Sequence, residues 1–181
     1  GDTLRVLAGP DHAVADIQPS PEAIDALIDA AAQSHSHVVL DLPHSWSPQV
    51  TAALAGADEV VLIAQPDLNC LRNCKGLLDR LATLRRNDRT PAVVLNGCGM
   101  PRRRELPVQA FAEIAGRDRL FTVPWDVRAF AKAEGDGRTL REVEPRCRAQ
   151  RALEAVLADL LGKPAAPRGL AGWLSRIAAR R

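Results

Sequence analysis

Five short segments of the chain are almost entirely apolar, and they constrain the fold more than any other feature. They are rich in Val, Leu and Ile and occupy residues 4–8, 38–42, 59–64, 92–95 and 120–123. Strands that are covered on both faces carry such runs, whereas strands with one solvated face alternate between apolar and polar residues. The sequence therefore predicts buried strands of a largely parallel sheet.

Helical patterns separate these segments. They occupy residues 21–33, 71–85, about 106–115 and about 145–161. Strands that alternate with helices form right-handed βαβ units, so we predict an α/β fold. We predict one domain over residues 1–162, followed by a linker and a basic tail over residues 163–181.

The charge of the chain is unevenly distributed. Its 24 basic and 22 acidic residues give a net charge of +2, but residues 163–181 hold five basic residues and no acid. The remaining body has 19 basic against 22 acidic residues. A mildly acidic body argues against general nucleic-acid binding.

Compartment and redox state follow from what the sequence lacks. No stretch approaches the roughly 18 consecutive apolar residues of a membrane span, and no signal-peptide pattern opens the chain, so a cytosolic location is the default expectation. The four cysteines form no CxxC pair and no zinc spacing. We expect reduced structural thiols, with ligation by Cys70 and Cys74, one helical turn apart, as the alternative.

Polar residues follow the predicted strands where they end. These strand ends are Asp41 with the loop 42–44, residues 65–67, residues 96–99 and residues 124–126. Open parallel sheets bind ligands beyond the carboxyl ends of their strands. The sequence thus predicts a ligand site at this edge.

Each candidate at this edge has two open interpretations. Asp41 suits a water of a bound Mg²⁺ ion, or it caps the turn that follows. The amide of Asn96 suits the edge of a purine, or Asn96 forms a turn with Gly97. Trp125 covers a base, or it closes the end of the sheet.

A phosphate-binding loop is the part of a nucleotide site that the sequence does not contain. No G-x-x-x-x-G-K-[ST] motif occurs, and the backbone amides and lysine of that loop hold the β and γ phosphates. We therefore do not expect this chain alone to hydrolyse ATP.

Four stretches together resemble a known family. They are VVLDLPHSW, ADEVVLIAQPDLNCLRNCKGLLDRL, PAVVLNGCG and FTVPWDVRAFAKAEGDGRTLREVEP. Over residues 4–162 the chain resembles the later two thirds of MinD/ParA-superfamily ATPases, which are deviant P-loop proteins, and it is most similar to the TadZ/CpaE-type proteins of Flp (Tad) pilus assembly. The resemblance implies a doubly wound, mostly parallel sheet with helices on both faces.

The resemblance also implies roles for individual residues. Asp41 matches the Walker B acid, which organises Mg²⁺ through water, and Asn96 matches an asparagine on the adenine ring of ATP. Pro124 and Asp126 match the loop that passes the base.

The resemblance also matches residues that respond to the nucleotide and residues that contact another protein. Pro43 and His44 fall in the stretch that senses the γ-phosphate, and Arg72 and Asn73 match a helix start for which we expect dimer or partner contact. The family places its phosphate loop and first strand upstream of residue 4, and this chain contains neither. We expect a longer gene product, and a protein that naturally lacks the loop is the alternative.

The tail has the pattern of an amphipathic helix. It places Leu170, Trp173, Leu174 and Ile177 on one face, with arginines toward the other. Such a helix suits an anionic membrane surface or a partner groove, and packing on its own domain is the alternative.

Three hypotheses about function follow. The first is a cytoplasmic, peripherally membrane-associated ATPase that binds ATP and Mg²⁺ as a homodimer and positions a Flp/Tad pilus machine. The second is a noncatalytic dimeric scaffold of the same fold. The third is a ParA-like partition ATPase, which the acidic body disfavours.

Overall fold

A computed structural model describes residues 4–7, 19–86 and 88–162. The chain divides into two compact units, Gly1–Ala57 and Asp58–Arg181. The predicted tail face lies outside the described residues; it comprises Leu170, Trp173, Leu174 and Ile177. The boundary predicted at residue 162 stays a prediction.

The first unit contains two helices, α1 (Pro21–Ser34) and α2 (Pro48–Gly56), which pack against each other. Each begins with a proline, whose missing N–H costs nothing in a first turn. A serine caps each: the hydroxyls of Ser20 and Ser47 accept hydrogen bonds from backbone N–H groups three residues on, at 3.3 and 3.2 Å. The helix predicted at 21–33 is confirmed, and α2 was not predicted.

Two of the five predicted strands are wrong in the described residues. Residues 4–7 and 37–43 form neither strand nor helix, and Leu4 and Val39 are 81% and 92% exposed. A strand needs a neighbour to satisfy its N–H and C=O groups. No backbone hydrogen bond joins residues 38–42 to another described segment. An apolar run indicates strand propensity, but it does not specify the neighbouring strand that the segment must pair with.

The second unit alternates strands and helices. Its elements are β1 (Val61–Ala64), α3 (Leu68–Leu84), β2 (Ala92–Cys98), α4 (Val108–Ala115), β3 (Leu120–Pro124), α5 (Val127–Gly135), α6 (Leu140–Val143) and α7 (Arg148–Leu160). The three strands predicted here are confirmed, as are the helices predicted near 71–85, 106–115 and 145–161. Helices α5 and α6 were not predicted.

The three strands form one parallel sheet in the order β1-β2-β3. Central strand β2 is the most buried, since residues 92–95 are at most 2% exposed. Successive side chains of a strand point to opposite faces. Val93 and Leu95 pack with α3 and α4, whereas Val94 packs with α5, α6 and α7. Helices therefore cover both faces, as the sequence predicts for a doubly wound sheet.

An ion-pair network, which we call the amino-end clamp, lies where the strands begin. It consists of Arg119 before β3, Glu59 before β1, Arg89 before β2 and Asp159 of α7. Arg119 is 6% exposed and contacts Glu59 at 2.7 Å and Asp159 at 2.8 Å. Its guanidinium also donates to the carbonyl of Thr90. The clamp joins all three strand starts to α7.

Candidate nucleotide site

The carboxyl ends of β1, β2 and β3 meet at one edge of the sheet, as the parallel order requires. Gln65 follows β1, Asn96 lies near the end of β2, and Pro124 ends β3 and precedes Trp125. The N–H of Trp125 donates to the carbonyl of Cys98 at 2.7 Å. The second unit thus brings together the residues predicted at the ends of its three strands.

A β-bulge at Gly97 sets the direction of Asn96. Asn96 pairs with Val123 and Cys98 with Pro124, so Gly97 is the extra residue in β2. Gly97 has a φ of +70°, which glycine adopts at low cost. Bulges redirect side chains and recur beside functional sites. Asn96 is exposed and makes no side-chain hydrogen bond to other described residues.

The two interpretations of Asn96 can now be compared. The Asn-Gly pair does not form a turn between elements, because β2 continues to Cys98. The Asn96 amide lies at the carboxyl edge, and its donor and acceptor atoms make no hydrogen bond to described residues. This arrangement fits the edge of a purine base.

Trp125 flanks the bulge. A Cβ added at Gly97 would lie 3.5 Å from Cε3 of Trp125, so the indole lies against the glycine. The side chain remains 41% exposed, which leaves ring surface open for stacking. Trp125 therefore both closes the end of the sheet and presents an aromatic surface beside Asn96.

Asp126 has a structural task in the same loop. Its carboxylate caps α5 by accepting a hydrogen bond from the N–H of Ala129 at 3.1 Å. Capping fixes where α5 begins and therefore where the 124–126 loop runs. The sequence match of Pro124 and Asp126 to a base-binding loop stays a prediction about ligand contact.

A tight loop with a partly buried ion pair lies next to Asn96, and no sequence pattern predicts it. Glu105 accepts hydrogen bonds from the N–H groups of Gly99 at 3.0 Å and Met100 at 3.1 Å, and it pairs with Arg103 at 2.8 Å. The Gly99 N–H, followed by Arg103 and Met100, holds the pKa of Glu105 below its ordinary value. Arg103 also donates to the carbonyl of Gly97. No spacing motif could have singled out this pair.

Three residues that the sequence matches to metal and γ-phosphate roles belong to the first unit. Asp41, Pro43 and His44 are exposed. No described residue donates a hydrogen bond to the Asp41 carboxylate, so Asp41 does not cap the turn that follows it. Its carboxylate is thus available to solvent, as an outer contact to a hydrated Mg²⁺ requires.

Arg72 and Asn73 are exposed on the first turns of α3. The cap of this helix is Asp67, whose carboxylate accepts from the N–H of Cys70 at 2.8 Å. Exposure on a helix surface fits a contact to another protein, which stays a prediction.

The four cysteines are free thiols. Cys74 is buried, and burial, helped by the neighbouring Cys70, raises its pKa to about 11. A thiol held protonated is a poor metal ligand and a poor nucleophile. The described part of the chain holds no group of three or more His, Cys, Asp or Glu side chains arranged for a metal ion.

No helix within residues 4–7, 19–86 and 88–162 combines the length and the apolar character that crossing a membrane requires.

Solved structures share this fold. The ParA family ATPase from Chlorobium tepidum TLS matches with a TM-score of 0.61 and 21% identity over 78% of this chain and 57% of that one. The cell division ATPase MinD from Pyrococcus furiosus matches with a TM-score of 0.65 and 17% identity over 79% of this chain and 59% of that one. The MinC:MinD complex of Aquifex aeolicus matches with a TM-score of 0.68 and 14% identity over 85% of this chain and 63% of that one.

These matches define the class of fold: the second unit has the parallel sheet of the MinD/ParA P-loop fold. The chain spans about six-tenths of the length of each of these solved relatives. A family model described as cellulose biosynthesis protein BcsQ matches residues 5–96. The chain belongs to this BcsQ family. Among curated proteins, no sequence matches the chain.

Proposed function

We propose that this chain is part of a MinD/ParA-type ATPase that binds ATP and Mg²⁺ as a homodimer and positions a cell-envelope assembly machine. The observation that carries the proposal is the exposed Asn96 amide beside Trp125, at the carboxyl edge of a sheet with MinD/ParA architecture. Ligands of open parallel sheets bind at that edge.

We assign the contacts with the base to residues of the second unit. Asn96 would hydrogen-bond the adenine edge, since an amide both donates and accepts. Pro124 and Asp126 would border the base, with Asp126 acting through the α5 cap that fixes the loop.

We assign the roles at the metal ion and at the γ-phosphate to three residues of the first unit. Asp41 would hold a water of Mg²⁺, and Pro43 and His44 would lie in the segment that responds to the γ-phosphate. Mg²⁺ would neutralise charge on the phosphate oxygens. The exposure of all three side chains leaves them accessible to such a ligand.

Dimer formation gives this class of protein its output. We assign Arg72 and Asn73 on α3 to a dimer or partner surface because both are exposed and belong to a stable, capped helix. Two copies would also add the weak affinities of two tails for a membrane surface. Positioning at the inner face of the membrane would follow.

Two machines are candidates. The DLPH, PDL and LRN segments, in an order similar to TadZ/CpaE-type proteins, favour a Flp/Tad pilus. Membership of the BcsQ family favours cellulose synthesis, as that family's description states. Deleting the gene separates them: loss of pili with normal cellulose supports the first, and loss of cellulose with normal pili supports the second.

Nucleotide-dependent dimerisation of the full-length protein tests the biochemical proposal. We expect the mass measured by light scattering to double with ATP and Mg²⁺ but not with ADP. In Asp41→Ala, ATP should still bind while the Mg²⁺ dependence disappears; Asp29→Ala, which removes an exposed acid of α1, should change neither. A dimer that forms without nucleotide would instead identify a noncatalytic scaffold.

A further inference from the structure

The bulge in β2 is held by a contact from outside the strand. Gly97 is unpaired in the ladder between Asn96 and Cys98, so its backbone has no strand partner to fix it. The carbonyl of Gly97 accepts a hydrogen bond from Nη2 of Arg103. The conformation that exposes Asn96 therefore depends on this guanidinium.

Arg103 is itself held in place from two directions. Its Nη2 lies 2.8 Å and its Nε 3.2 Å from Oε1 of Glu105, and its Nη1 lies 3.4 Å from Oε1 of Gln65. The Arg103 side chain is 18% exposed. The Arg103 side chain thus links the end of β1 to the bulge in β2, and its hydrogen bonds restrict the position of the guanidinium.

Glu105 anchors this arrangement to the loop. It accepts from two consecutive backbone N–H groups, Gly99 and Met100, and the N–H of Leu106 donates to the carbonyl of Pro66 at 2.8 Å. Arg102 in the same loop has a φ of +62°, in the left-handed region. A strained residue persists where the surrounding contacts hold the loop firmly.

We propose that Arg103, held by Glu105, is the positioning residue that fixes the bulge at Gly97 and thereby aims the Asn96 amide at a purine base. This inference rests on the proposed nucleotide-binding function and assigns Arg103 no contact with the nucleotide. Pre-organised polar groups bind more tightly because less ordering is required on binding.

The first test compares neighbouring arginines of the full-length protein. Arg103→Met removes the contact to Gly97, whereas Arg104→Met removes an exposed arginine one residue away. We expect Arg103→Met to weaken ATP binding roughly threefold to tenfold by titration calorimetry, and Arg104→Met to change it less than about twofold. Arg103→Lys, which retains one donor, should recover part of the loss. Equal effects of the two methionine variants would overturn the inference.

A double variant separates positioning from a general loss of structure. Asn96→Ala should weaken ATP binding by about tenfold, the loss expected for base hydrogen bonds. Because Arg103 acts through Asn96, Arg103→Met should cause no further loss in the Asn96→Ala background. An additive loss would overturn the positioning role while leaving the proposed function in place.

Three further outcomes are distinguishable. If Asn96→Ala binds ATP as tightly as the unaltered protein, the inference fails because Asn96 does not contact the base; if the unaltered full-length protein binds no ATP, the proposed function fails. If Arg103→Met does not fold, Glu105→Gln replaces it, because this variant keeps the shape of the side chain and removes the charge that holds Arg103. Its effect on ATP binding should likewise vanish in the Asn96→Ala background, and an additive effect refutes the inference.

Discussion

Arg119 of the amino-end clamp is the residue whose loss should most weaken the second unit. Its guanidinium makes hydrogen bonds to Asp159, Glu59 and the Thr90 carbonyl, and its side chain is 7% exposed. Arg119→Met keeps much of the side-chain volume and removes all of these bonds. The carboxylates then retain Arg89 as a cationic partner, at 3.0 Å from Glu59 and 2.8 Å from Asp159.

The size of the effect follows from these contacts. Removing one partner of a buried ion pair costs about 3–5 kcal/mol, because a buried charge is left uncompensated. Since Arg89 remains and the Glu59 and Asp159 side chains are 27% and 19% exposed, we expect a smaller loss, about 2 kcal/mol. In a unit of this size, that corresponds to a fall in Tm of roughly 6–10 °C.

Thermal and urea unfolding, followed by circular dichroism, measure this change. The control is Lys75→Met, which breaks a pair on α3 whose side chains are 62% and 67% exposed. Exposed pairs of this kind contribute about 0.3–0.5 kcal/mol. A loss in Arg119→Met no larger than in Lys75→Met would refute the argument that the clamp ties the strand starts together.

Other perturbations test single contacts. Gly97→Ala places a Cβ at a φ of +70° and should destabilise the protein by about 1 kcal/mol in urea unfolding. Asp67→Ala removes the cap of α3 and should also cost about 1 kcal/mol in the same assay. Because the pKa of Cys74 is about 11, alkylation at pH 8, followed by mass spectrometry, should be at least about tenfold slower in the native than in the unfolded protein. The pKa of Glu105 is lowered in the folded protein, so its charge contributes stability at every pH above the ordinary pKa of glutamate, about 4.3. This contribution is lost as the pH falls from there through the lowered pKa. The difference in Tm between the unaltered protein and Glu105→Gln should therefore shrink only in that acid range.

The fold of the second unit follows from local sequence patterns. The apolar run at 92–95 indicates a strand covered on both faces, and all four of these residues are buried. The sequence predicts a start at residue 71 for α3, three residues after the observed start at Leu68. The difference arises because Asp67, which caps the helix, also fits the polar end of a strand. Helix α5 is not predicted although Asp126 caps it, because a polar residue at a strand end is equally typical of a ligand-binding loop.

The strand predictions that were wrong depended on a neighbouring strand that the local sequence does not specify. Residues 38–42 have the composition of a buried strand, yet Val39 is 92% exposed, because nothing in a local pattern specifies a neighbouring strand. The site was predicted in part: Asn96 and Pro124 share one edge because parallel strands end together. Arg103 and Glu105 were missed because their contacts with Gly97 and Gly99 depend on how the loop folds back.

A structure of the full-length protein with a nonhydrolysable ATP analogue and Mg²⁺ tests the central claim most directly. We predict that the adenine edge lies within hydrogen-bonding distance of the Asn96 amide, with Trp125 beside the base. A nucleotide bound at any other edge of the sheet, or no bound nucleotide at saturating concentration, would contradict the assignment of a MinD/ParA-type nucleotide site to this chain.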